Sequence, residues 1–233
     1  MSKLILLNGP IGCGKTAAVQ TLVDRFSNTA SAECKEHLHL LTQIFFNVEP
    51  SVYWTIYEDR SQKELPQAEF QIQLEEYNKL AKLLGKPHRV SPDKVPISIR
   101  EAMIYVSELV CKPAFGEDYF GRVRASKLNL SGDDTLYIDD SAGFEDEVPP
   151  AIQALGQENI LLIRVRGRGT FDGDSRNYLP DGLCDHTVDV YNTASLQEFV
   201  NRVCSYVQGF INRPPRLNPC NAHAVEDFKH HIQ

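Results

Sequence analysis

Eight consecutive residues near the N-terminus have the types and spacing of a loop that binds nucleotide phosphates. Residues 9–16 read G-P-I-G-C-G-K-T and fit G-x-x-x-x-G-K-[ST] at every fixed position. The glycines permit the backbone to turn its N–H groups towards a phosphate chain. Lys15 supplies positive charge for the β- and γ-phosphates, and Thr16 supplies a hydroxyl ligand for Mg²⁺. The predicted ATP-binding residues are Gly9, Ile11, Gly12, Cys13, Gly14, Lys15 and Thr16.

A strand and a helix must position this loop. Residues 4–7 are an apolar run that predicts a buried strand at 3–7, and residues 16–26 carry apolar side chains at helical spacing. The positive N-terminal end of that helix would point at the phosphates. A chance match to the motif is the alternative, and the strand–loop–helix context argues against it.

Two adjacent carboxylates close a later strand. Asp139 and Asp140 follow an apolar run at residues 135–138. Because ligands of open parallel sheets sit at the carboxyl ends of strands, such a carboxylate can reach Mg²⁺ beside Thr16, directly or through water. The alternative is that one of the pair caps the next helix. We predict that both belong to the metal site and favour Asp139 as the ligand.

Three arginines alternate along another predicted strand and the loop that follows it. Arg164, Arg166 and Arg168 share one face if the strand continues, and Arg176 follows within a glycine-rich segment. Phosphoryl transfer needs charge neutralised in the transition state, which arginines on a closing lid can provide. We therefore predict a lid at about residues 166–185. The alternative is a solvated basic turn.

The middle of the chain is mostly helical and offers an acceptor site. Arg60 and Arg100 lie there, and Trp54 and Tyr57 precede Arg60. A nucleoside monophosphate needs an arginine for its phosphate and aromatic walls for its base. For a single aromatic residue, packing in the core is the alternative.

The composition narrows the class of protein. The 233 residues are 42% hydrophobic and 24% charged, which is typical of a globular domain. No apolar run approaches the length of a membrane span, and the six cysteines form no C-x-x-C pair. These features predict a cytoplasmic protein with free thiols and no membrane partner. The net charge of −7 argues against stable nucleic-acid binding and suits an enzyme for small-molecule nucleotides.

The order of predicted elements indicates an α/β fold. Strands and helices alternate at the two ends of the chain, which predicts a P-loop three-layer core with a parallel sheet. We assign residues 1–30 and 131–212 to this core, about 31–130 to a helical acceptor-binding insertion, and the whole chain, residues 1–233, to a single domain. Within the insertion, the sequence predicts helices at 34–46, 66–84 and 98–110 and a loop at 88–96.

Taken together, these residues resemble the deoxynucleoside monophosphate kinases of tailed bacteriophages, a family of P-loop kinases. Residues 59–66, D-R-S-Q-K-E-L-P, are similar to the family's D-R-x-x-K-E-x-P stretch. Residues 99–103 and 115–120 are similar to the helix start P-R-E-A-L-Q and the segment after it, and residues 164–192 to its closing segment, which ends in an asparagine before the last helix.

The resemblance implies roles for these residues. Lys15 would hold the donor phosphates, Arg60 and Arg100 would lie on the acceptor side with Lys63, and residues 164–176 would form the lid. It also implies Mg²⁺-ATP as the phosphate donor and a possible homodimer.

The sequence departs from the family's pattern on the acceptor side. No arginine follows Asp140 at the usual spacing, and residues 174–176 read D-S-R where the family has H-S-E. The leading hypothesis is therefore an ATP-dependent kinase of deoxynucleoside monophosphates. The alternatives are a P-loop kinase that acts on a modified base in phage DNA, and a non-catalytic nucleotide-binding module.

Overall fold

The computed structural model describes residues 1–128, 134–172 and 174–213. The predicted boundary between insertion and core near residue 130, and Gly173 of the predicted lid, lie outside the described residues. The strands are β1 Lys3–Asn8, β2 Thr29–Ser31, β3 Gln67–Gln73, β4 Lys94–Ile97, β5 Leu136–Asp139, β6 Ile160–Arg166 and β7 His186–Tyr191. The α-helices are α1 Lys15–Arg25, α2 Lys35–Phe46, α3 Pro50–Glu58, α4 Leu74–Leu83, α5 Ile99–Ile104, α6 Lys112–Phe115, α7 Tyr119–Leu128, α8 Pro149–Leu155 and α9 Leu196–Ile211. A π-helical stretch, Tyr105–Cys111, joins α5 to α6.

Five of the strands form one parallel sheet in the order β2-β5-β1-β6-β7. The strand that leads into the phosphate-binding loop lies at the centre, so the loop emerges at the carboxyl edge of the sheet between β5 and β6. This is the edge at which ligands bind in open parallel sheets.

Alternate residues of β1 bury against different helices. Ile5 and Leu7 pack with α1 and α9 on one face, and Leu4 and Leu6 pack with α7 and α8 on the other. Because both faces are covered, the strands are almost continuously apolar, as parallel sheets require. The predicted α/β class is confirmed: a parallel five-stranded sheet lies between helices on its two faces, in a three-layer fold.

The residues between β2 and β5 build a second apolar cluster. It surrounds the antiparallel pair β3–β4 and includes residues of α2, α3, α4, α5 and the π-helical stretch. The segment thus contributes its own core and a two-stranded sheet, rather than helices alone.

Two local predictions were wrong within this region. The predicted helix at 66–84 is a strand up to Gln73 and a helix only from Leu74. Phe70 and Ile72 alternate with exposed residues, but Phe70 also lies at helical spacing from Leu74, which hid the strand. The predicted loop at 88–96 ends in β4.

A capping box begins each of two helices, and the first confirms the predicted helix start at residue 98. The Ser98 hydroxyl accepts a hydrogen bond from the Glu101 amide, and the Glu101 side chain accepts one from the Ser98 amide. Ser195 and Glu198 form the same capping box at the start of α9. Among the described residues, no helix is both long and apolar enough to cross a membrane.

Candidate active site

The loop between β1 and α1 requires glycine at three positions. Gly12 and Gly14 have φ angles of 76° and 106°, in the region that side chains rarely adopt. A Cβ atom on Gly9 would lie 2.8 Å from Cys13 Sγ and 2.8 Å from the Val165 carbonyl oxygen. The motif glycines are therefore explained by backbone conformation and close packing.

The N-terminus of α1 carries no side-chain cap. Gly14 occupies the N-cap position, no side chain accepts a hydrogen bond there, and the first turn has no acidic residue. The first amides of a helix have no partner within the helix, and the helix dipole adds positive potential. This end of α1 fits the anionic oxygens of a phosphate group.

Lys15 is held within the loop by backbone carbonyls. Its Nζ donates to Gly9 O at 2.5 Å and to Pro10 O at 2.8 Å, and the residue is only 9% exposed. Burial lowers the pKa of Lys15. The cation is thus partly desolvated at the point where the motif brings a lysine to the donor phosphates.

The Cys13 side chain points away from the phosphate-binding face of the loop and into the core. It is fully buried in the apolar cluster between the sheet and helices α1 and α9. Its Sγ lies 3.7 Å from Lys15 Nζ. Its contribution to ATP binding would therefore come from the backbone. Ile11 and Thr16, in contrast, are exposed at the rim of the loop.

Asn192 connects the end of β7 to the loop. Its Nδ2 donates to Cys13 O at 2.8 Å, and its backbone amide donates to Arg166 O. Within the described part of the chain, Asn192 Oδ1 is buried without a hydrogen-bond partner. We did not predict this residue as part of the site; the only sequence signal was the asparagine of the family's closing segment.

The two adjacent aspartates have different surroundings. Asp139 is fully buried: Oδ2 accepts from Arg124 Nε at 2.5 Å, and Oδ1 accepts from the amide and hydroxyl of Ser141. An Asp140 oxygen lies 3.6 Å from Lys35 Nζ. Asp140 is also close enough to Lys15 for its negative charge to favour the protonated form of Lys15. Both oxygens of Asp139 are occupied, so this geometry favours Asp140 as the carboxylate that serves a metal, against our preference from the sequence.

The donor set suits Mg²⁺ bound together with a nucleotide. The described residues contain no cluster of three or more histidine, cysteine, aspartate or glutamate side chains that could hold a metal ion alone. Thr16 and Asp140 offer oxygen ligands, and Mg²⁺ commonly takes only one or two protein ligands besides phosphates and water.

Glu33 and Lys35 belong to the same edge of the sheet. Lys35 Nζ lies 3.3 Å from Glu33 Oε2, and Glu33 shares a hydrogen bond with Asp140. Burial, and then the hydrogen bond to Asp140, raise the pKa of Glu33 to about 7. Burial alone would lower the pKa of Lys35, but Asp140 and Glu33 outweigh it and raise that pKa. Neither residue was predicted, because β2 carries no apolar pattern.

The first two predicted lid arginines anchor β6 to β7. Arg164 is 7% exposed and donates to Asp189, Asp181 and the Leu179 carbonyl. Arg166 pairs with the same Asp189 at 3.0 Å and lies 4.1 Å from the Tyr178 ring centre. They do lie on one face, but their guanidinium groups are engaged in packing the sheet edge.

The other two arginines differ in position. Arg168 is exposed and donates to Ala194 O at 3.2 Å. Arg176 has a 21% exposed side chain and lies close enough to Lys15 to lower the pKa of that lysine. A Cβ atom on Gly143 would lie 2.6 Å from Arg176 Cβ, so the arginine stem packs directly on the loop after β5. Arg176 is therefore a predicted lid arginine that lies near Lys15 and packs beside the loop after β5.

The predicted aromatic residues surround a histidine. The rings of Trp54 and Tyr57 lie 4.8 Å and 4.3 Å from the His39 ring, and Lys63 Nζ lies 3.6 Å from the Tyr57 ring centre. Burial lowers the pKa of His39 to about 4, so its ring is neutral at pH 7. Trp54 remains 37% exposed, which leaves an aromatic surface beside Lys63.

The predicted acceptor-side arginines are not equivalent. Arg60 is exposed at the end of α3, whereas Arg100 reaches Asp174 at 3.5 Å and Glu64 at 3.8 Å. The structure thus brings Arg100 and Arg176 to the same carboxylate, and leaves Arg60 on the surface.

A parallel five-stranded sheet with helices on both faces, and a glycine-rich lysine loop between β1 and α1, define a three-layer α/β protein with a P-loop motif. No protein-family model matches the chain, and no curated protein matches it in sequence. Among solved structures, it is similar to the tunicamycin resistance protein of Deinococcus radiodurans, with 13% identity and a TM-score of 0.36. The similarity covers 89% of this chain and 96% of that one.

Proposed function

We propose that the protein transfers the γ-phosphate of ATP to a deoxynucleoside 5′-monophosphate and releases the diphosphate. The observation that carries this proposal is the position of Lys15, which is held in an open phosphate-binding loop and flanked by Asp140 and Arg176. The donor phosphate at Lys15, a metal ligand at Asp140 and the positive charge of Arg176 would then meet at one edge of the sheet.

The donor half consists of the loop and the start of α1. The amides of the loop and Lys15 would bind the β- and γ-phosphates. Mg²⁺ bound with the nucleotide would supply further neutralisation of phosphate charge, with Thr16 and Asp140 as its protein ligands. The remaining work of the protein is to align the two substrates and to exclude water.

The transferring phosphoryl group would lie between Lys15 and Arg176. Charge spreads over its equatorial oxygens in the transition state, and cations placed there in advance lower the barrier. Arg176 meets this requirement because its stem is fixed against Gly143. Arg164 and Arg166 would act indirectly, since they hold β6 and β7 together.

The acceptor half lies on the insertion. Arg100 supplies a guanidinium group for the acceptor phosphate, and the exposed face of Trp54 beside Tyr57 and Lys63 supplies a surface for the base. The resemblance of residues 59–66 and 99–103 to phage deoxynucleoside monophosphate kinases supports this assignment.

A coupled assay of ADP release tests the proposal. The four standard deoxynucleoside monophosphates would be added separately to the protein and to a Lys15→Ala variant, with Lys79→Ala at an exposed position of α4 as the matched control. We expect at least one acceptor to stimulate ADP release, and only the Lys15 variant to lose that activity. No stimulation by any of the four would contradict the proposal.

A second acceptor class is an alcohol. Glu33, which shares a hydrogen bond with Asp140, places a second carboxyl group at the same edge as the phosphate-binding loop. Such a group suits a general base that takes a proton from an attacking hydroxyl, which a phosphate acceptor does not need. Comparing each deoxynucleotide with its own deoxynucleoside separates the two classes, because they differ only in the 5′-phosphate.

A further inference from the structure

Two arginines from distant parts of the chain converge on one carboxylate oxygen. Asp174 Oδ2 accepts from Arg176 NH2 at 2.7 Å and lies 3.5 Å from Arg100 NH2. Arg176 Nε also donates to Asp174 Oδ1 at 3.0 Å. The Asp174 side chain is 4% exposed, against 22% for Arg100 and 21% for Arg176. The carboxylate therefore fills the space between the two guanidinium groups.

This space belongs to the active-site edge of the sheet. Arg176 lies close enough to Lys15 and Asp140 for their charges to interact, and its stem rests on Gly143. Arg100 stands at the start of α5, on the insertion, and its other carboxylate partner is the 62% exposed Glu64 at 3.8 Å. The two cations thus come from opposite sides of the proposed substrate cleft.

Planar guanidinium groups on either side of an anionic oxygen form the arrangement by which proteins bind phosphate. A carboxylate oxygen in this position makes the contacts that a phosphate oxygen would make. A phosphate and the Asp174 carboxylate cannot both occupy it, since two anions in contact repel.

We propose that Arg100 and Arg176 form the binding site for the acceptor's phosphate group and that Asp174 is its internal occupant, which the incoming phosphate displaces. We call Arg100 and Arg176, with Asp174 between them, the masked arginine site. That this site binds the acceptor's phosphate rests on the proposed function, whereas its binding of phosphate in place of Asp174 does not. Asp174 would then set the acceptor affinity below that of the bare arginine pair, and would join the two sides of the cleft before the acceptor binds.

The test is binding of inorganic phosphate and of each deoxynucleoside monophosphate to the full chain, measured by titration calorimetry without ATP. Asp174→Asn keeps an oxygen acceptor for the arginines but removes the charge. We expect this variant to bind phosphate about tenfold more tightly, because a competing anion is removed from between two cations. Asp172→Asn removes the same charge from an exposed position of the same segment and is expected to change nothing.

A second pair of variants shows that the gain comes from this site. Arg100→Gln in the Asp174→Asn background is expected to abolish most of the gain. Asp174→Ser, with thermal unfolding recorded in parallel, replaces Asp174→Asn if that variant does not fold. Unchanged or weaker phosphate binding on loss of the Asp174 charge would overturn the proposal, as would an equal gain in Asp172→Asn.

The outcomes separate this inference from the proposed function. If phosphate binding tightens while no deoxynucleotide is phosphorylated, the masked arginine site stands and the proposed function falls. If a deoxynucleotide is phosphorylated while its affinity does not respond to Asp174→Asn, the proposed function stands and the masking falls.

Discussion

Asn192 donates a hydrogen bond to the backbone carbonyl of Cys13 at 2.8 Å, and so ties the end of β7 to the phosphate-binding loop. The contact joins residues that are 179 positions apart in the sequence, and it needs a glycine at position 14. A Cβ atom there would lie 2.8 Å from Asn192 Nδ2 and 3.0 Å from Phe199 Cε1. The loop is therefore shaped by β7 and α9 as well as by its own glycines.

We predict that Gly14→Ala destabilises the fold and weakens ATP binding. The variant combines an unfavourable φ of 106° with the contact to Asn192, and together these are expected to cost about 1–3 kcal/mol of unfolding free energy. Gly209→Ala is the matched control, because it lies within α9 with open space around its Cβ and is expected to stabilise by about 0.5–1 kcal/mol. Chemical denaturation measures both; equal effects would contradict the prediction.

We predict that Arg176 matters far more for turnover than Arg168. Arg176→Ala removes a fixed cation beside Lys15 and is expected to lower kcat about 10²–10³-fold. Arg168→Ala removes an exposed arginine held at Ala194 O and is expected to lower kcat less than about tenfold. Steady-state kinetics with saturating ATP measures both. A larger loss for Arg168→Ala would show that the lid works through its exposed turn.

We predict that Arg124 is required for stability. It is 1% exposed and pairs with Asp139 at 2.5 Å and Glu147 at 3.5 Å, so Arg124→Met leaves two buried carboxylates without their main cation. Breaking a buried pair of this kind costs about 3–5 kcal/mol. Arg122→Met on the same helix breaks the exposed pair with Asp118 and is expected to cost less than about 1 kcal/mol. Urea unfolding of the two variants checks the difference.

We predict that stability falls as the pH rises through the range in which Glu147 titrates. Burial raises the pKa of Glu147 from 4.5 to about 7, against the opposing effect of Arg124 and Lys112. The unfolded state therefore releases this proton first, and each step in pH between about 4.5 and 7 lowers the free energy of unfolding.

The Glu147→Gln variant isolates this effect. It mimics the protonated side chain, so its stability relative to the natural protein is expected to rise by up to about 3 kcal/mol between about pH 4.5 and about pH 7.5. Glu145→Gln is the control, because Glu145 is exposed and belongs to the same 3₁₀ turn, Glu145–Glu147. The prediction is wrong if both variants follow the same pH profile as the natural protein.

The sequence by itself determined the donor half of the site. A fixed motif with an apolar strand before it and an amphipathic helix after it has one common structural solution, because backbone conformation and local hydrogen bonding determine it. The same local character made the helix start at Ser98 predictable, and the alternation of strands and helices sufficed for the fold class.

Only the tertiary structure decided what each charged side chain contacts. Asp139 and Asp140 are neighbours in sequence, yet opposite directions along a strand send one to Arg124 and the other towards Lys35 and Lys15. Likewise Arg164 and Arg176 carry the same guanidinium group, but their contacts differ. Arg164 pairs with Asp189 of β7, whereas the stem of Arg176 packs on Gly143 in the loop after β5. Such pairs join residues far apart in the chain. Residue type and spacing alone do not predict them, because the packing of the elements determines which side chains come into contact.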